Sequence, residues 1–165
     1  MNKSVATPIN EATHSGGCQC GRVRYRITGE LGDGGICHCR MCQKASGNIA
    51  LPLVSAAIER FEWTRGKPSE FRSSSIVARG FCNHCGTPLY MLEDGFEYYE
   101  ITVGSLDNSE AAAPTHAVGL ESKLTWFDSL AKLPGHSTSE DRSPEDLAKL
   151  TSHQHPDHDT DEWPG

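Results

Sequence analysis

Seven cysteines lie between positions 18 and 85 of this chain, in three groups: Cys18-Gln19-Cys20, Cys37-His38-Cys39-Arg40-Met41-Cys42 and Cys82-Asn83-His84-Cys85-Gly86. No other feature limits the fold so strongly. A C-x-x-C turn folds back so that both sulfurs point to one side, which is how thiolates come to share a tetrahedral ion such as zinc. Cys82 and Cys85 have this spacing, and Gly86 permits the tight turn. Cys18 and Cys20, two apart on an extended segment, share a face and are the natural partner pair. Together the four make a closed site of structural character. Cys37, Cys39 and Cys42 then remain, and an ion held by three protein ligands keeps a free position of the catalytic kind. His38 and His84 each lie inside a knuckle and are alternative ligands, so spacing alone leaves the partition open.

Composition favours metal over disulfides. An odd number of cysteines leaves one thiol over, and the first ten residues hold one Lys and no apolar run of the secretory kind, so the expected compartment is the reducing cytoplasm. Hydrophobic residues make up 36% of 165 residues, a lean core for a chain of one domain, and such a core needs a staple. The formal charge is -7, the wrong sign for neutralising phosphates, so neither nucleic acid nor an anionic membrane is expected as a partner. No apolar stretch approaches the roughly 20 residues of a membrane helix.

Three zones follow from patterning. Residues 1–15 are polar and aperiodic, an irregular arm; 16–135 form the domain; 136–165 form a polar tail with a short helix. Within the domain, 23–28 alternates apolar and polar residues, and 49–54, 58–63, 70–73, 88–92, 98–103 and 115–118 are similar short β-like pieces. Strands at this spacing imply a mostly β, antiparallel domain. Helical signals are brief, at 39–45 and 124–130. In the tail, Ser143-Pro144-Glu145-Asp146 reads as an N-cap, a proline at the first helical position and acids in the first turn. After it, His153, His155 and His158 are interrupted by Pro156, which argues for a segment lying on the surface rather than a third ion site. Phe81 and Trp126 read as core aromatics beside the metal.

The residues also resemble a known family. The three cysteine groups with their flanks, Gly16-Gly17 before the first and Gly86-Thr87-Pro88-Leu89 closing the third, together with Val103-Gly104-Ser105-Leu106-Asp107 and Lys123-Leu124-Thr125-Trp126-Phe127, are similar to the glutathione-dependent formaldehyde-activating enzymes, also called the centromere-protein-V-like family. The resemblance spans about 16–135. It implies a zinc-stapled antiparallel domain of the β-tent type with two zinc ions. Carried over by position, Cys18, Cys20, Cys82 and Cys85 hold the structural ion, and Cys37, Cys39 and Cys42 the labile, catalytic one.

The activity implied is condensation of glutathione with formaldehyde, formally a carbon-sulfur lyase reaction, with a small-molecule thiol and a small aldehyde as partners. Three thiolates leave an excess negative charge beside a divalent ion, so a nearby cation is expected. Arg40 and Lys44 flank Cys42 and are the candidates for offsetting that charge or binding a glutathione carboxylate. The competing expectation is a non-catalytic zinc-stabilised binding module, or a metal- or thiol-handling protein, in which both ions are structural.

Overall fold

A computed structural model describes residues 12–163. Most of the expected arm, 1–11, lies outside them. In chain order the strands and helices are β1 (Thr13–Gly17), β2 (Arg24–Thr28), β3 (Gly34–Cys37), α1 (Arg40–Ser46), β4 (Leu51–Ala57), β5 (Phe61–Arg65), β6 (Ser69–Arg72), β7 (Val77–Phe81), β8 (Pro88–Glu93), β9 (Tyr98–Thr102), β10 (His116–Val118), α2 (Thr138–Asp141) and α3 (Pro144–Lys149). The protein is mostly β, with few and short helices. No helix among the described residues is long and apolar enough to cross a membrane.

Two sheets form. A three-stranded sheet has the order β1-β2-β5, and a seven-stranded sheet the order β10-β3-β4-β9-β8-β7-β6. All the pairings are antiparallel except β10 on β3, which is parallel. The alternation read at 23–28 is strand β2, whose Tyr25 and Ile27 are fully buried. β1 begins inside the expected irregular arm. Its His-Ser-Gly-Gly run has no apolar alternation, yet Thr13 pairs with Thr28 and Gly17 with Arg24, because the backbone ladder to β2 does not require apolar side chains.

The core lies between the sheets. Tyr25 of β2 and Phe61 and Trp63 of β5 meet Tyr90 of β8 and Tyr99 of β9, with ring centroids 5.1 Å apart for Tyr25–Phe61, 4.9 Å for Phe61–Tyr99 and 4.6 Å for Tyr90–Tyr99. Each such pair contributes about 0.5–1.5 kcal/mol beyond the area it buries. Val54, Leu89 and Ile101 fill the space around them. On the opposite face of the large sheet, Leu51, Leu53, Cys37 and Cys42 form a second, smaller cluster beneath α1. Trp126 is not core: it is 49% exposed, since the chain from 120 onward runs along the surface in 3-10 turns.

The tail has the expected helix, with Ser143 accepting from the Asp146 amide. Beyond it the chain returns to the domain. The His155 amide donates to the Gln19 carbonyl at 2.8 Å, and the His155 ring, 3% exposed, lies against Gly21 and packs on Trp163. Asp159 accepts from Arg24 and Arg26 at 2.9 and 2.8 Å, and Arg65 donates to the Thr160 carbonyl. The tail is thus a strap over the first cysteine group.

Candidate metal centres

Cys18 and Cys20 sit in the turn that follows β1, where Gly21 takes φ +71° and its amide donates to the Cys18 carbonyl. Cys82 and Cys85 sit between β7 and β8, where Gly86, at φ +79°, donates to the Cys82 carbonyl. The fold brings these two turns together across 62 positions: Cys18 and Cys20 sulfurs lie 3.6 Å apart, and Cys20 and Cys82 sulfurs 3.8 Å apart. Four sulfurs on one zinc, each at the usual metal-sulfur length, would be about 3.8 Å apart at the tetrahedral angle. The donor set therefore fits a tetrahedral ion of that size. Cys18 and Cys82 are buried, and Cys20 and Cys85 partly so.

The second centre is local. Cys37 ends β3, Cys39 is the N-cap of α1 and accepts from the Cys42 amide, and Cys42 lies in the first turn of the helix. Their sulfurs all lie within 4.8 Å of one another, as do those of the first four. Among the described residues these are the two groupings of three or more ligand-type side chains. His84 is exposed. His38 is buried with its Nδ1 unpartnered, its ring makes a T-shaped contact with Phe127, and its nitrogens are not part of the sulfur group. The tail histidines join neither centre.

Burial opposes ionisation at both centres. It pushes the Cys18 and Cys37 thiols up to about 12 and raises Cys20 as well. Cys85 is raised by burial too, but hydrogen bonds with the Thr87 hydroxyl, the Thr87 amide and Cys20 outweigh this and bring it to about 6. Cys39 is likewise lowered, against its burial, by hydrogen bonds with the Cys42 amide and the Cys37 thiol. Thiols with such unequal demands do not all ionise unaided. A divalent cation supplies the missing charge, since a coordinating thiol gives up its proton outright.

Arg79 is the residue that sequence reasoning missed. It lies on β7, 7% exposed, and Nη2 donates to Cys42 Sγ at 3.4 Å while Nε donates to Ser73 Oγ at 3.0 Å. Burial raises the Cys42 thiol, and Arg79 opposes that rise. Of the cations expected here, Arg40 and Lys44 are exposed on α1, and Arg40 donates to Gln43 Oε1 at 2.8 Å. Thr87, by contrast, is integral to the four-cysteine centre: its hydroxyl accepts from the Gln19 amide and lies 3.2 Å from Cys85 Sγ.

A two-sheet β fold carrying one four-cysteine group and one three-cysteine group defines a domain whose cysteine clusters could each hold a metal ion. A family model described as glutathione-dependent formaldehyde-activating enzyme matches residues 13–122, and the chain belongs to that family. The match runs from β1 past β10 and stops before the strap. A crystal structure of a Rhodobacter sphaeroides protein is similar with a TM-score of 0.52, at 20% identity, covering 63% of this chain and 99% of that one. At that identity the likeness shows the fold alone. No curated protein matches the chain in sequence.

Proposed function

We propose that the protein is a zinc-dependent carbon-sulfur lyase-type enzyme that joins glutathione, or a related thiol, to formaldehyde or another small electrophile. The observation that carries this reading is the inequality of the two centres: four cysteines converge at one and three at the other. Zinc at Cys18, Cys20, Cys82 and Cys85 would be saturated and structural. Zinc at Cys37, Cys39 and Cys42 would have a coordination position left for a substrate thiol, which it would hold in the anionic form at neutral pH.

The chain's own groups do the rest. Arg79 offsets the surplus negative charge of three thiolates through its N–H bond to Cys42. Arg40, which also donates to Gln43, and Lys44, both exposed on α1, would meet the carboxylates of a glutathione anion entering from that side. The test is exchange NMR on glutathione and formaldehyde, since the uncatalysed adduct already forms and breaks. Catalytic amounts of zinc-loaded protein should accelerate the interconversion. Cys39→Ser should abolish that acceleration and remove one of two zinc ions with the circular dichroism unchanged. Unchanged turnover in this variant would favour the non-catalytic binding or metal-handling reading instead.

A further inference from the structure

On the face of the large sheet that α1 covers lies a cleft of ≈ 330 Å³ whose walls include Ala45, Leu51, Phe71, Phe81 and Arg79. Formaldehyde would fill only a small part of such a space, which has room for about eleven waters. Its walls are apolar, and one charged group enters it. Arg79, the same residue that donates to Cys42 Sγ, uses Nη2 and Nε on Cys42 and Ser73, two of the five N–H donors of a guanidinium. Directly across the β6–β7 ladder from it stands Phe71, 65% exposed. A large aromatic left open on an edge strand, beside a buried cation, gains nothing for the isolated fold. It is a wall for an apolar ligand with an electron-rich oxygen at one end.

We infer that this cleft binds the electrophile, and that the electrophile is an aldehyde with an apolar carbon body, its carbonyl oxygen directed at Arg79. The inference rests on the proposed thiol–aldehyde reaction. In it the carbon–sulfur bond forms as the carbonyl π bond opens, and the thiol's proton ends on the former carbonyl oxygen, with nothing oxidised or reduced. Negative charge develops on that oxygen before the proton arrives. A guanidinium fixed by Ser73 and Cys42 is a donor already oriented for it. The apolar body meanwhile lies against Phe71, Phe81 and Leu51, out of water.

Two measurements on the zinc-loaded protein test this. The first is ligand-observed NMR with phenylacetate, which has an aryl body and carboxylate oxygens but does not react. The second compares the acceleration of glutathione adduct exchange, relative to the uncatalysed rate, for 3-phenylpropanal and for formaldehyde. Phenylacetate should bind wild type, bind about tenfold more weakly to Phe71→Ser, and be lost in Arg79→Gln. The acceleration for 3-phenylpropanal should exceed that for formaldehyde, and Phe71→Ser should reduce this preference about tenfold. Arg79 also holds Cys42, so Phe71→Ser, on an exposed edge strand, is the variant that separates the cleft from the cysteine centre. Phenylacetate binding unchanged in both variants, or a wild type that favours formaldehyde, overturns the inference and leaves the proposed reaction standing. Binding that requires Phe71 and Arg79, with neither aldehyde accelerated, upholds the cleft as an apolar-ligand site and overturns the reaction.

Discussion

A methyl group at position 119 would reach into the peptide that carries Cys39. Gly119 has φ +67°, and a Cβ built there lies 2.5 Å from the Cys39 amide nitrogen and 3.0 Å from its Cα. Neither atom can yield without moving the N-cap of α1, and the left-handed backbone costs a further 1–2 kcal/mol or so for a residue with a side chain. Gly119→Ala is therefore expected to displace Cys39 and lower the metal content from the two ions per chain proposed above to one, as read by elemental analysis, with the secondary structure intact. Two ions retained at full occupancy would show that the turn at 119 does not set the three-cysteine geometry. No cysteine pattern points to this glycine, because its relation to Cys39 is made by the parallel pairing of β10 with β3. Arg79 was equally illegible: it is 37 positions from Cys42, and an arginine and a glycine inside Val77–Phe81 read as breaks in a strand pattern.

Among the elements, the tail strap has the most sharply defined chemistry. His155 donates through Nδ1 to the Pro156 carbonyl, and its Nε2 accepts from Thr160 with Arg65 beside it, so the docked ring is neutral. Burial lowers its pKa below the usual histidine value, and Arg24 and Arg65 lower it further, against the pull of the Pro156 hydrogen bond. Asp159 is raised by burial but brought below the usual carboxylate value by Arg24 and Arg26. Both groups thus titrate lower docked than free. The docking they favour is complete above about pH 6.5, the free-histidine value, and is lost as pH falls, first through the docked His155 and then through Asp159. Fluorescence of Trp163 should report the strap releasing in acid, and a His155→Gln variant should shift the release to lower pH. A release profile identical in the two proteins would remove His155 from the account. Patterning had revealed the helix cap at Ser143 and the surface course of the segment. It had not revealed where the segment docks, because every anchor lies 90 or more positions away.

Across the whole molecule, the two cysteine centres do different mechanical work. With an ion bound, the four-cysteine centre would tie the end of β1, in the small sheet, to the β7–β8 turn of the large one, 62 positions apart at Cys20 and Cys82. An ion at the three-cysteine centre would tie together six consecutive residues that β3 and α1 already hold in place. Loss of the first should separate the sheets and expose the Tyr25–Phe61–Tyr99 core, whereas loss of the second should remain local. Cys82→Ser is therefore expected to give protein that is insoluble or lacks a cooperative melt, beside a soluble and cooperatively melting Cys39→Ser. Equal thermal stability in the two variants would show that the aromatic core holds the sheets without the staple.

The division between what the chain spells out and what folding decides follows from distance along the chain. The cysteine spacings, the alternation of β2 and β5 and the Ser143 cap are local, so the mostly antiparallel β class, the cysteines of both centres and the terminal helix are all legible in the sequence. β1, β3 and β7 carry too much glycine and polar character to declare themselves, and they become strands because their neighbours offer a backbone ladder. Only the tertiary structure could set buried Arg79 against Cys42, open a cleft between Phe71 and α1, and lay His155 over the first knuckle. Each of these contacts joins residues that no local periodicity relates, and each is decided by how the two sheets close on the aromatic core.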